Sequence, residues 1–100
     1  MTASLIGPNA GSLAVSQLEA LASDLDGRGF DTHVSRDGGT LSLSVINRAA
    51  PGCRENITTG LAGDGAYWFW WSWGDRIAAI TDVEAAAFKI AYVLTLRAGG

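Results

Sequence analysis

The chain has 100 residues, 48% of them apolar and 17% charged, enough for one domain with a buried core and too apolar for the disordered class. Ten acidic residues outweigh seven scattered basic ones for a formal net charge of -3, which argues against a nucleic-acid surface built from clustered Lys and Arg. There is no uncharged apolar stretch of about 18 residues to span a membrane, no basic start leading into an apolar run as in a secretory signal, and no disulfide partner for Cys53, so the cytoplasm is the expected compartment.

Residues 1–11, broken by Gly7, Pro8 and Gly11, read as a loose terminal arm ahead of a single domain over residues 12–98. From Ser12 the spacing becomes helical, with Leu18, Leu21, Ala22 and Leu25 falling on one stripe. Ser12 is a candidate cap, or Ser16 with Glu19 forms a capping box for a later start, and Gly27 and Gly29 stop the helix.

Beyond Gly29 the period drops to two. Phe30, Thr32 and Val34 alternate with Asp31, His33 and Ser35; Asp37, Gly38 and Gly39 turn the chain; Leu41, Leu43 and Val45 then alternate with Ser42, Ser44 and Ile46. Two such runs make an antiparallel hairpin with one buried face. Pro51 and Gly52 close that unit, and Arg54 to Thr59 is a weaker strand. The turn-forming Gly60 to Gly65 leads into Ala66 to Trp73, a run of aromatic residues that belongs on a strand. Gly74 and Asp75 fit a two-residue hairpin loop that folds Arg76 to Ile80 back as a short last strand.

A closing helix follows, opened by a Thr81 and Glu84 capping box or by Asp82 directly. It carries Val83, Ala86, Ala87, Ile90 and Leu94 on one side and a second apolar stripe, Ala85, Phe88, Tyr92 and Leu96, on the other. A helix apolar on two faces is expected to be covered on both, by its own domain or by a partner. The expected fold is therefore α+β: an antiparallel four- or five-stranded meander, flanked in sequence by an N-terminal and a C-terminal helix packed on one sheet face.

The aromatic strand points Tyr67, Phe69, Trp71 and Trp73 one way and Trp68, Trp70 and Ser72 the other. With helices on one side only, Trp68 and Trp70 face away from the core, and three readings stand open. Neighbouring side chains cover the rings, a twin chain or another protein docks on them, or they line a groove for a small planar or apolar ligand. Arg76 beside them could stack on a ring or hold a carboxylate, although a solvated hairpin tip explains Asp75 and Arg76 equally.

No constellation reaches a reaction mechanism. His33 and Cys53 are the only residues of their kinds, too few for a zinc site without carboxylates, and no helix N-terminus or basic cluster is evident around Cys53 to activate its thiol. Gly60, Gly63 and Gly65 lack the Lys and hydroxyl residue of a phosphate loop and precede a strand, so a hairpin connection accounts for them. Asn56, Ile57 and Thr58 match a glycosylation acceptor, a motif common by chance. Asp24 is placed to pair with Arg28 at i+4.

The run YWFWWSWGDRIAAI from Tyr67 to Ile80, followed by DVEAAAFKIAYVL from Asp82 to Leu94, resembles small uncharacterised actinobacterial proteins that end in a YWWSWG-type strand, a short charged turn and an Ala-rich helix closing in IAxVL. The first half of the chain shares only their order of helix and strands. The resemblance implies no catalytic residue and no cofactor; it implies action through a partner, as a companion to a regulatory protein. The expected function is thus a non-enzymatic interaction module, a homodimer or regulatory companion, binding through Trp68, Trp70, Arg76 and Tyr92. A small-ligand-binding domain with a Trp-lined groove is the alternative. No metal, cofactor, nucleic acid or membrane is expected.

Overall fold

A computed structural model describes the backbone of residues 3–37 and 40–99 and the side chains of residues 13–36 and 41–97. Helix α1 (Ala3–Gly27) is followed by five strands, β1 (Phe30–Asp37), β2 (Thr40–Asn47), β3 (Arg54–Leu61), β4 (Tyr67–Trp71) and β5 (Arg76–Ala79), and by helix α2 (Val83–Gly99). The strands form one open antiparallel sheet in the order β1-β2-β3-β4-β5, each paired with its neighbour in sequence. Both helices lie on one face of it, side by side. This is the expected α+β meander, with five strands. No helix among the described residues is long and apolar enough to cross a membrane.

The first helix starts at Ala3, well before Ser12, so the segment read as an arm is helical from its third residue and Ser12 lies inside α1. Proline fixes φ near the helical value, and Pro8 removes one donor close to the helix start. Sequence punctuation therefore overstated the break there. At the other end α1 stops as expected, with Gly29 at φ +101 and Arg28 and Gly29 donating back to the Leu25 and Asp26 carbonyls. The turn read at Gly38 and Gly39 lies outside the described residues.

Leu18, Leu21 and Leu25 of α1, Leu43 and Val45 of β2, Ile57 of β3, Phe69 of β4 and Ala86, Ala87, Ile90 and Leu94 of α2 form a fully buried core. Asn47 is the one buried polar residue among those described, and its amide is used on both sides: Nδ2 donates to the Leu94 carbonyl at 3.4 Å and Oδ1 accepts from the Ala49 N–H at 2.9 Å. It ties the end of β2 to α2. Arg48 performs a similar service outside, donating to the Phe30 and Asp26 carbonyls and bridging Asp31 at 2.7 Å. The Asp24–Arg28 pair forms at 2.7 Å.

Between β4 and β5 the register slips: Phe69 faces Ala78 but Trp70 faces Arg76, leaving Ile77 as the extra residue of a bulge. The slip lets two successive residues, Ile77 and Ala78, both reach the core. The loop before β5 is longer than two residues. Trp71 donates to the Asp75 carbonyl and Gly74, at φ +98, donates back to Trp71, so Ser72 to Asp75 form the turn and β4 ends at Trp71.

Candidate functional site

The aromatic run builds two different surfaces. On the side facing the helices, Phe69 is fully buried and Trp71 is 5% exposed. Tyr67 and Trp73, expected to anchor the core with them, are exposed instead: Tyr67 sits at the strand's open end and Trp73 lies beyond it, in the turn. Released from the strand's alternation, Trp73 folds back to stack on Trp71 with ring centroids 4.7 Å apart and planes at 9°. Its indole N–H donates to Asp75 at 2.9 Å. Arg97 of α2 caps the outer side of the stack, 5.3 Å from the Trp73 ring and 2.6 Å from Glu55 of β3. Ser72 donates to the same Glu55 carboxylate.

On the opposite face of the sheet, Trp68 and Trp70 are half-buried, because the domain itself supplies cover. Trp70 lies along the neighbouring strand over Gly60, its N–H donating to the Gly60 carbonyl at 3.1 Å. A Cβ at Gly60 would lie 3.5 Å from the Trp70 indole nitrogen, ordinary contact distance, so the ring passes close over this position with room for a methyl group and little more. Trp68 is roofed by Arg76, whose guanidinium carbon is 4.6 Å from the ring centroid, and Arg76 reaches Asp64 at 4.0 Å. The Trp68 indole N–H is buried and has no acceptor among the described residues. Ser42, Ser44, Asn56 and Thr58 of β2 and β3 lie beside them on this face, with Ile46, Arg54 and the outer residues of β1 farther along it.

Of the four residues singled out in the sequence, Trp68, Trp70 and Arg76 come together on the outer sheet face, while Tyr92 stands apart on α2, with the sheet between them. Tyr92 belongs to another group. Phe88, Tyr92 and Leu96, at successive turns of α2, are 63%, 57% and 57% exposed, and the rings of Phe88 and Tyr92 stack at 6.3 Å. They form the longest run of exposed large apolar side chains on one described element. The sequence carried this stripe in its four-residue spacing. What spacing alone could not decide was whether the fold would cover it.

Asp82 starts α2 by accepting the Ala85 N–H on its side chain at 3.2 Å, the direct cap and not the Thr81 and Glu84 box. Lys89 and Arg97 both turn inward, to the Ile77 carbonyl and to Glu55, so the stripe has few charges beside it.

Two further clefts are lined by described residues. One of about 480 Å³, between the ends of α1 and α2, contains Arg28 and Asn47, both bonded within the fold. The other, of about 180 Å³, holds Glu55, already paired with Arg97. His33 is exposed on the outer face of β1 and Cys53 is half-buried beside the turn before β3, its N–H bonded to Ala50. Among the described residues no three of His, Cys, Asp or Glu converge as a metal site would require.

No family model, no curated protein and no solved structure matches the chain.

Proposed function

We propose that this chain is a non-enzymatic protein-interaction module that docks through the exposed face of α2. The observation that carries the reading is the stripe Phe88, Tyr92 and Leu96: three large apolar side chains, each more than half exposed, in line on a helix whose other side is fully packed. Exposed large apolar residues gathered in one place mark docking sites more reliably than the same residues scattered, and aromatic rings are enriched where binding energy concentrates. Because Trp68 and Trp70 are half-buried, this reading favours the helix over the outer face of the aromatic strand as the docking surface. Tyr92 keeps its place in the site.

The test is capture with the whole chain as bait beside a Phe88→Gln, Tyr92→Gln double variant. A protein held by the natural chain and lost by the variant supports the reading; equal capture by both sinks it.

A second reading has one observation of its own. The buried, unpartnered N–H of Trp68 beneath Arg76 is a donor that a ligand oxygen could satisfy if the guanidinium swung aside, which favours a small planar carboxylate at the outer face. Saturable quenching of tryptophan emission by such a compound, abolished in Arg76→Ala, would support it; a flat titration would count against it.

A further inference from the structure

We infer that the outer sheet face holds a small aromatic monocarboxylate whose two oxygens are shared between the Trp68 indole N–H and the Arg76 guanidinium; the inference rests on the second reading above and defines its ligand. Its ground is two adjacent donors with no acceptor between them. The buried Trp68 N–H has no acceptor among the described residues. Over its ring lies Arg76, with the guanidinium carbon 4.6 Å from the centroid, and a guanidinium adds five N–H donors and no acceptor. Arg76 is itself short of a partner. Arg28, Arg48 and Arg97 each meet a carboxylate oxygen at 2.7 Å or closer, whereas Arg76 comes only within 4.0 Å of Asp64 and makes no hydrogen bond among the described contacts.

The shortage is local to this pair. Trp70 donates to the Gly60 carbonyl at 3.1 Å and Trp73 to Asp75 at 2.9 Å. Trp68 stands across from Gly60 on one side and Ala79 on the other, neither of which has a side-chain acceptor, and the Gly60 carbonyl is already taken by Trp70. Buried N–H groups are seldom left in this state, because the lost solvation of the donor goes uncompensated.

Charge and shape define the ligand. One acceptor group serving both donors needs two oxygens in one plane, as a carboxylate has. A single guanidinium faces the site and the Asp64 carboxylate stands beside it, which matches one negative charge and disfavours the double charge of a phosphate monoester. Asp64 is engaged in its own turn, where Oδ1 accepts the Ala66 N–H at 3.0 Å, so only Oδ2 approaches Arg76, and both side chains are about half exposed. An ion pair so open restrains the guanidinium weakly, leaving it able to turn from the ring, admit a carboxylate and bond it. The half-buried Trp70 ring, passing over Gly60 on the same face, gives the body of the ligand an aromatic partner. With one cation and one N–H on an open face, the expected Kd is about 1 mM.

The probe is benzoate, read on the full chain through the proton–nitrogen resonances of its four indoles. Trp68→Phe assigns the Trp68 resonance by its loss; the variant keeps a ring, discards the orphaned donor and is expected to fold, as circular dichroism will check. Benzoate should move the Trp68 resonance downfield and saturate. Benzamide, neutral and of the same shape, and acetate, which lacks the ring, should each bind at least about 10-fold more weakly. Followed by backbone amide shifts, Trp68→Phe should weaken benzoate about 10-fold, and Asp64→Asn, which removes the competing carboxylate, should tighten it about 2-fold. Benzamide binding as well as benzoate, or phenyl phosphate binding better, would overturn the inference. Benzoate binding that is lost in Arg76→Ala yet unchanged in Trp68→Phe would overturn the shared donors and leave the ligand reading standing. No shift of any resonance at the solubility limit of benzoate would sink both.

Discussion

Trp71 and Trp73 share a stack but not an environment, and the difference fixes what each contributes. Trp71 is 5% exposed and packed among core residues, so Trp71→Ala should cost about 3–5 kcal/mol in urea unfolding, the range for removing a buried ring. Trp73, 48% exposed, contributes one face to the stack and one hydrogen bond to Asp75, and Trp73→Ala should cost about 1 kcal/mol. Gly60 gives a second test at this scale. Its missing side chain leaves ordinary contact distance to the Trp70 ring, so Gly60→Ala fits, whereas the γ-methyls of Gly60→Val need the volume the indole fills. The expected outcome is an unshifted emission spectrum for the alanine variant. For the valine variant a red shift should accompany a loss of about 1 kcal/mol, as Trp70 is pushed into water and its bond to the Gly60 carbonyl breaks. None of these distinctions was legible in the string of aromatic letters, because alternation assigns a face and says nothing of what a neighbouring strand lays over it.

At the scale of elements, α2 shows both what a sequence declares and what it withholds. Its two stripes and its start near Asp82 followed from spacing and residue type, and the Asp82 cap gives a direct expectation: Asp82→Ala should lower stability by about 1 kcal/mol in thermal unfolding, with Thr81→Ala nearly silent. The reading that both stripes would be covered within the domain or by a partner could not be completed from sequence. A helix resting on a sheet has only one side to rest on. The strands were legible wherever one face is apolar and the other polar, as in β1 and β2. They were misjudged where turn geometry intervened: a two-residue loop would pair Trp73 with Arg76 and Trp71 with Ala78, but the Trp71 N–H bonds the Asp75 carbonyl, and that bond moves Trp73 from strand to turn. The start of α1 was missed for the opposite reason, since Gly7, Pro8 and Gly11 weaken a helix without ending it.

For the molecule as a whole, stability and docking should separate cleanly. Phe88→Gln with Tyr92→Gln touches only the outward side of α2 and is expected to leave the unfolding midpoint within about 0.5 kcal/mol of the natural chain. Ile90→Ala, on the inward side and fully buried, should cost about 2–5 kcal/mol. If the outward pair proved as costly as the inward residue, the stripe would be structural after all. The candidate site was only partly readable for the same reason of scale: Trp68, Trp70 and Arg76 do lie together on one sheet face, yet which of the two apolar surfaces stays open depends on Gly60, Arg76 and the sheet's single helical layer acting together.

The strand order, in which every strand lies beside the one made just before it, also governs how the chain is born. As synthesis proceeds from the first residue, α1 and each new strand can dock on what has already emerged, with short loops to close and few distant contacts to wait for. The last element is the exception. Until α2 leaves the ribosome, Phe69, Trp71 and Ile77 are without the helix that completes their cover, at the edge of a sheet with an open strand. The nascent chain is therefore most prone to aggregate in the interval after β5 and before α2, and a chaperone would find its work there.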